Sequence, residues 1–403
     1  MIVKNTSIKL QLLILILLGA IKVWGQTPEL IFHSGFEPSV IDTTNGVASD
    51  ILGIDNSVTP PNDWLNDLEN HPNIGTFSIQ YEGGDNTMRL AEIVPDPVNS
   101  SNNVLKFWIK EPNVGGYKGR VQANLYGNNN IYNLFYSIRM YLPSDFDTLK
   151  YIQGEIKWLT LMEFWNNASW IQDHGFRITV NLQKIGDSPD SLRLGVHAQT
   201  NIGDVFTDVW GTTNMSFVVP IAKWMTININ YIEGDNSTGR FYLSVTPDGQ
   251  PETTVFDITN YTHHPSDPSP DGLGELNPFK LYTSDDVING ITNTGRLLHV
   301  YWDDFELWKD KLITSVANKN SAVSNFSIYP NPANKRAVLV FINTAQKKHT
   351  LKLHNIYGQL VRTITNITTD QVIIEKGNLT SGIYFYKLYN NNKISAAGQL
   401  VFL

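Results

Sequence analysis

The chain has 403 residues, 41% hydrophobic and 11% aromatic, which excludes a disordered chain and suits one large domain with a smaller one. It has no cysteine, which excludes a disulfide scaffold, a thiol nucleophile and Cys-ligated zinc or iron–sulfur sites. The net charge of −8 is uneven: residues 26–318 carry 17 basic and 36 acidic residues, a net of −19, while residues 319–403 carry ten Lys/Arg against Asp370 and Glu375. A domain that acidic offers no general positive field, so nucleic acid is not an expected partner.

In chain order, the first element is an address. Lys4 and Lys9 precede the apolar run Leu10 to Ala20, and Val23-Trp24-Gly25 follows. This is the pattern of a secretory signal over residues 1–25, with a positive start, a short apolar core and a small residue at the cut. The run is near half the ~20 residues needed to span a bilayer. The mature protein is expected to carry no transmembrane segment.

Residues 26–311 alternate apolar and polar positions over many short runs, among them VLKFWIK (104–110), KGRVQANLY (118–126), LFYSIRMYL (134–142), KWLTLMEFW (157–165), FRITVNLQ (176–183), LRLGVHAQ (192–199), WMTININYI (224–232), GRFYLSVT (239–246) and LLHVYWDDFELW (297–308). Turn-rich segments such as EGDNSTG (233–239) and PDGQPE (247–252) separate them. Period-2 patterning of this extent predicts an all-β domain, a large antiparallel jelly-roll sandwich.

Alternation also sorts the faces. Arg177, Thr179, Asn181 and Gln183 oppose the apolar Phe176, Ile178, Val180 and Leu182. In the next run, Arg193, His197 and Gln199 oppose Leu192, Leu194, Val196 and Ala198. Pairing of these two strands sets Arg177 across from either His197 or Gln199. The same sorting gives Arg120, Gln122, Asn124 and Tyr126 in one run, Glu163 and Trp165 against Trp158, Met162 and Phe164 in another, and Lys280 with Tyr282 in a third. Together these form a polar, aromatic face of the kind a polysaccharide groove requires, with planar groups for hydroxyls and carboxylates and rings for sugar faces.

β-Elimination of a uronate-containing polysaccharide needs a group that neutralises the C5 carboxylate, a base for the C5 proton and an acid for the leaving oxygen. Arg177 or Arg120 with Gln122 or Asn181 suits the first role, and Tyr282 or His197 the proton transfers. A cationic neighbour such as Lys280 favours the phenolate form of a tyrosine. In layout this resembles the jelly-roll polysaccharide lyases, including alginate and glucuronan lyases. There an Arg-rich strand, a Gln-x-His strand and a late Lys/Tyr strand line one groove. Arg120-Val121-Gln122-Ala123-Asn124 matches the first and Lys280-Leu281-Tyr282 the last. The middle strand departs, with Glu163 and Trp165 where Gln and His are expected, and His197-Ala198-Gln199 offers the imidazole instead. The resemblance implies catalytic Tyr282, His197 and Arg177, with Arg120, Gln122, Asn124, Glu163, Trp165, Asn181, Gln199 and Lys280 binding substrate.

Two alternatives use the same face. A glycoside hydrolase needs two carboxylates about 5–10 Å apart; Glu163 is one, and Glu155 on the same strand is roughly 26 Å away, leaving a loop residue such as Asp173 for the second. A carbohydrate-binding protein needs no catalyst at all. Gly35-Phe36-Glu37 and Tyr301-Trp302-Asp303-Asp304-Phe305 resemble the first and last strands of calcium-binding carbohydrate-recognition jelly rolls, which implies a structural calcium held by Glu37 and Asp303; buried hydrogen bonds are the other way to offset an inward Asp303. His263-His264 reads as a solvated turn.

After Trp308 the segment KDKLITSVANKNSAVSN is polar and suits a linker over 312–325. Short strands broken by Pro, Asn and Gly follow to residue 403, predicting a small β-sandwich over 326–403. Tyr329-Pro330-Asn331-Pro332, Asn355-Ile356-Tyr357-Gly358 and Leu379-Thr380-Ser381-Gly382-Ile383-Tyr384, in that order, resemble the C-terminal sorting domain of type IX secretion in Bacteroidetes. The resemblance implies export through that machinery, ending in release or surface attachment. The expected partners are thus a polysaccharide and the secretion machinery, and the chain reads as a monomer.

Overall fold

Ten strands build the sheet that carries the polar face. They are β1 (Val40–Asp42), β2 (Ala48–Leu52), β3 (Thr76–Glu82), β4 (Lys118–Tyr126), β5 (Leu159–Asn167), β6 (Gly175–Gln183), β7 (Arg193–Ile202), β8 (Val205–Thr213), β9 (Glu275–Asn277) and β10 (Lys280–Ser284). Their order is β8-β7-β6-β5-β9-β4-β3-β2-β1, with β10 also pairing with β5 and β4. The computed structural model describes residues 27–37, 39–42, 48–55, 58, 61–167, 174–186, 190–203, 205–311, 326–341, 343, 346–390 and 393–403. The signal segment 1–25, the linker 312–325 and Asp173 lie outside the described residues.

A second sheet of eight strands packs behind the first, its central members being Asn133–Tyr141, Trp224–Ile232 and Leu298–Lys309. Among the described residues of these two sheets all strand pairings are antiparallel. The core between the sheets takes the apolar set of each strand: Val121 and Leu125 from β4, Ile178 and Val180 from β6, and Leu194 and Val196 from β7, against Tyr136, Ile138, Ile227, Leu243 and Trp302. One face of β4, β6 and β7 is therefore committed to burial, and the period of two sends the polar set outward. This is a jelly-roll sandwich.

Two local features depart from the alternating pattern. The register of β5 on β6 slips between Thr160 and Met162, so Leu161 is an extra residue, a β-bulge that reverses parity along the strand. Trp158 and Thr160 consequently share the outer face with Glu163, and the expectation that Trp158 joins Met162 and Phe164 in the core is corrected. The segment Asp285–Thr292 is an α-helix that buries Val287, Ile288 and Ile291, an element the strand periodicity did not predict. Asp285 and Asp286 in its first turn complement the positive end of the helix dipole. The loop with His263 and His264 is also not a solvated turn: His263 is buried and its Nδ1 lies 2.9 Å from the His264 carbonyl oxygen.

By its internal contacts the chain divides into two units, residues 1–313 and 314–403. The second is a β-sandwich of a three-stranded and a four-stranded sheet around Leu339, Leu351, Leu353, Ile374, Tyr386 and Leu400. Its turn 355–359 is held by Asn355, whose Oδ1 accepts from the backbone N–H of Tyr357 and Gln359 at 3.0 Å each. Gly358 there has φ 76°, the left-handed region that glycine enters without strain. The Tyr384 hydroxyl donates to the Thr380 carbonyl oxygen at 2.7 Å. These contacts account for Asn355, Gly358, Thr380 and Tyr384 in the two later motifs.

Candidate active site

The outer face is built row by row from the strand registers. Tyr282 lies opposite Arg120 on one side and Thr160 on the other. Lys280 lies opposite Gln122. Thr179 lies between Glu163 and His197, and Arg177 between Trp165 and Gln199. Of the two partners open to Arg177 in the sequence, the sheet selects Gln199.

Around Tyr282 the face is cationic. The Lys280 ammonium is 5.2 Å from the ring centroid, and Arg120 and Lys118 are each 5.6 Å away. Trp158 packs against the same ring at 4.8 Å between centroids, where the bulge in β5 puts it. Tyr282, Arg120, Lys118 and Trp158 are all half-buried and reach solvent. Strands β4, β5, β6, β9 and β10 carry on this face Lys118, Arg120, Arg177 and Lys280 against Glu163 and Glu275, inside a domain of net charge −19.

Beneath this surface lies an ion triad. Glu163 accepts from Arg177 Nη1 at 2.7 Å through one carboxylate oxygen and from Lys280 Nζ through the other. Glu163 is 1% exposed and Lys280 2%. Burial pushes the Glu163 carboxyl up, but Lys280 and Arg177 together outweigh it and hold it below the ordinary 4.5. For Lys280, burial dominates and lowers the ammonium to about 8, against the opposing pull of Glu163. The neighbouring Glu275 is pushed up, first by burial. Glu163 therefore touches other side chains rather than substrate, and its expected place in the binding surface is corrected.

The floor beside Lys280 is a carboxamide network. Gln122 Nε2 donates to Asn124 Oδ1, which also accepts from Asn277 Nδ2 at 3.0 Å. The buried Gln122 Oε1 has no hydrogen-bond partner among the described residues and no surface of its own, an unsatisfied acceptor in the floor beside Lys280. Asn181 is buried and satisfied, accepting from Thr160 Oγ1 and donating to Thr179 Oγ1, each at 2.8 Å.

At the other end of the face, the Arg177 Nε and Nη2 donate to Gln199 Oε1 at 3.0 and 2.8 Å, and Gln199 Nε2 donates to Asp208 Oδ1 at 2.8 Å. Trp165 is 3% exposed and cannot offer its face to a sugar, which corrects the expectation of a stacking platform there. Phe206 lies against it, with 6.3 Å between centroids. Phe206 was not singled out in the sequence because the run 205–213 alternates weakly.

His197 stands three strands from Tyr282, about 14 Å at ~4.8 Å per strand. Its Nε2 is 3.2 Å from Gln183 Nε2 and its Nδ1 3.9 Å from Asp208 Oδ2. The ring packs on Gly211, where a Cβ would come within 2.6 Å of Nδ1. Arg177 is two strands from Tyr282 and further along the sheet. The expected partnership of Tyr282 with His197 and Arg177 is thus undone by register: parity put them on one face but did not fix their separation.

The predicted metal residues bond to consecutive residues, Asn103 and Asn102. Glu37 Oε1 accepts from the Asn103 backbone N–H, and Asp303 Oδ2 accepts from Asn102 Nδ2 at 2.9 Å. Asp303 is buried, and burial followed by the charge of Asp304 raises its carboxyl to about 7. Among the described residues no three His, Cys, Asp or Glu side chains converge to hold a metal ion.

Residues 327–402 match the family described as the secretion system C-terminal sorting domain. The protein is therefore exported, for secretion or attachment at the cell surface, by the machinery that reads this domain. No curated protein matches the chain. Among solved structures it is similar to an endo-β-1,4-glucuronan lyase from the fungus Trichoderma reesei (13% identity, 56% of this chain and 89% of that one, TM-score 0.36). It is also similar to a marine alginate lyase from Aplysia kurodai (11%, 60% and 93%, 0.32) and to the exoplasmic/lumenal domain of VIP36 in metal-free form (8%, 59% and 85%, 0.33). These similarities are too distant to assign an activity.

Proposed function

We propose that the protein is an exported lyase that cleaves a uronate-containing polysaccharide by β-elimination. The observation that carries this reading is the ring of three cations, Lys118, Arg120 and Lys280, around the solvent-reaching Tyr282 in an otherwise acidic domain. A positive site on an acidic protein selects an anionic substrate locally, since the distant negative charges are screened within about 8 Å at physiological salt. Arg120 neutralises the C5 carboxylate. The Tyr282 oxygen takes the C5 proton as its own hydroxyl proton leaves toward the glycosidic oxygen. The C5–H electron pair becomes the C4–C5 double bond as the C4–O bond breaks. No water is consumed. Negative charge that develops near Tyr282 lies among fixed cations, which lowers the barrier. Glu163 holds Lys280 and Arg177 in place from below. Its burial between two cations also weighs against the hydrolase reading, which needs a carboxyl able to reach the glycosidic oxygen.

We also propose that Glu37 and Asp303 hold a structural calcium. Their carboxylate oxygens are the hard donors that ion takes, and a cation would offset the cost of burying Asp303.

The test uses the full-length protein with a panel of algal and plant polyuronates, following ultraviolet absorbance of unsaturated product together with reducing ends. A rise in both is the expected result. Reducing ends without absorbance reject elimination in favour of hydrolysis. Neither signal, with retention on an immobilised glycan, leaves a binding protein.

A further inference from the structure

At the far end of the same face, Phe206 projects from β8, the last strand of its sheet, and lies flat over Arg177, with the guanidinium carbon 3.6 Å from the ring centroid. Trp165 supports the guanidinium from 5.4 Å. The arginine is fixed by Glu163 on one edge and Gln199 on the other, so it is a rigid backing for the phenyl ring. Phe206 itself is 39% exposed. A half-exposed aromatic ring stacked on a clamped cation presents one apolar face outward, and among the described residues the ring contacts are to Arg177 and Trp165. Three of the five Arg177 N–H donors are used by Gln199 and Glu163. Two more remain on a side chain that is 17% exposed.

We propose that Phe206 is the platform of a second sugar-binding subsite, taking the apolar face of a pyranose ring while Arg177 meets the ring's carboxylate or hydroxyl edge. From the registers, Tyr282 is in row with Thr160 and Asn181, so the centre at Arg177 is two strands across and four residues along, roughly 16 Å away. A chain must extend over several sugar rings to occupy both places. The subsite thus makes the protein prefer long polymers to short fragments, and directs cleavage to the interior of the chain. This inference rests on the reading that the face binds a polyuronate.

Binding is measured in the cleavage-impaired Tyr282→Phe protein by titration calorimetry, with polyuronate disaccharide and with long oligosaccharide. Phe206→Ala in that background is expected to weaken the long chain about tenfold, the loss of one aromatic stack, and to leave the disaccharide unchanged. Phe206→Trp is expected to restore the long-chain affinity, which a merely structural role would not predict. Equal long-chain affinity with and without the ring overturns the subsite, as does an equal loss at both lengths. Tighter binding on its removal also overturns it, because Phe206 would then be a cover over Arg177. If neither Tyr282→Phe nor the unaltered protein binds any polyuronate, the reading of the whole face fails, and the subsite with it.

Discussion

Tyr282 and Glu163 are both on one sheet face, but the structure gives them different work. Tyr282 reaches solvent among three cations, so its hydroxyl can exchange a proton with a bound sugar. Tyr282→Phe is expected to lower kcat about 10²–10⁴-fold with KM little changed, as for loss of an acid–base group; unchanged kcat in steady-state assays rejects the role. Glu163 never meets solvent, and its removal is felt through stability. Glu163→Gln leaves Lys280 and Arg177 facing each other without a counter-charge and is expected to cost about 3–5 kcal/mol in denaturant melts. Adding Lys280→Met to that variant relieves part of the loss. If Glu163→Gln is neutral to folding, the triad does not bind the three strands together. Asp303 makes a third case. Its folded-state carboxyl is raised from 3.8 to about 7, so between those values the native state holds a proton that the unfolded chain releases. This contribution makes stability fall as pH rises from about 4 to about 7. Asp303→Asn flattens that part of the profile. At pH 7 and above, calcium is expected to raise the Tm and a chelator to reverse it, whereas an indifferent Tm removes the calcium proposal.

At the scale of elements, alternation within each strand was enough to read most of the sheet. In β6 and β7 the apolar and polar sets take the two faces their sequences indicate, although Thr179, Asn181 and Gln183 of the polar set are themselves buried. What parity cannot supply is lateral distance. Tyr282 and His197 share a face because a period of two says so, yet three strands separate them because strand order is set by the fold and not by any one strand's pattern. The bulge at Leu161 is a second limit. A single extra residue reverses the faces of the start of β5, and nothing in LTLMEF distinguishes an inserted leucine from a regular one. Deleting Leu161 is expected to turn Leu159 outward and Thr160 into the core. Loss of soluble folded protein is the outcome that checks it, while a fully folded deletion argues that β5 re-registers freely. The helix Asp285–Thr292 escaped for a related reason. Its buried residues Val287, Ile288 and Ile291 are too few to establish a 3.6-residue period.

For the whole molecule, charge is divided by task. Within the acidic N-terminal region Lys118, Arg120 and Lys280 gather around Tyr282, and the C-terminal region carries ten Lys/Arg against two acids. Because the substrate contacts are few and close, raising ionic strength is expected to weaken binding of a polyuronate while leaving Tm nearly unchanged. Binding that does not respond to salt would argue against the cations as the recognition element. Export depends on the other end of the chain. A protein ending at residue 311 is expected to accumulate inside a cell whose secretion machinery exports the full-length form, with fractionation as the readout. Equal export of both would leave the sorting domain without a role here.

The position of Phe206 on β8 has a dynamic consequence. β8 is the terminal strand of its sheet and is hydrogen-bonded along one side only, to β7, and most of its residues face water. Strands of this kind open at lower free energy than those inside a sheet. The proposed far wall of the groove is thus built on an edge strand, while Tyr282 sits on a strand held from both sides. Amide exchange along Val205–Thr213 is expected to be fast in the free protein and to slow when a long glycan is bound, so that occupancy at one end of the groove can be read as a change in breathing at the edge of the sheet.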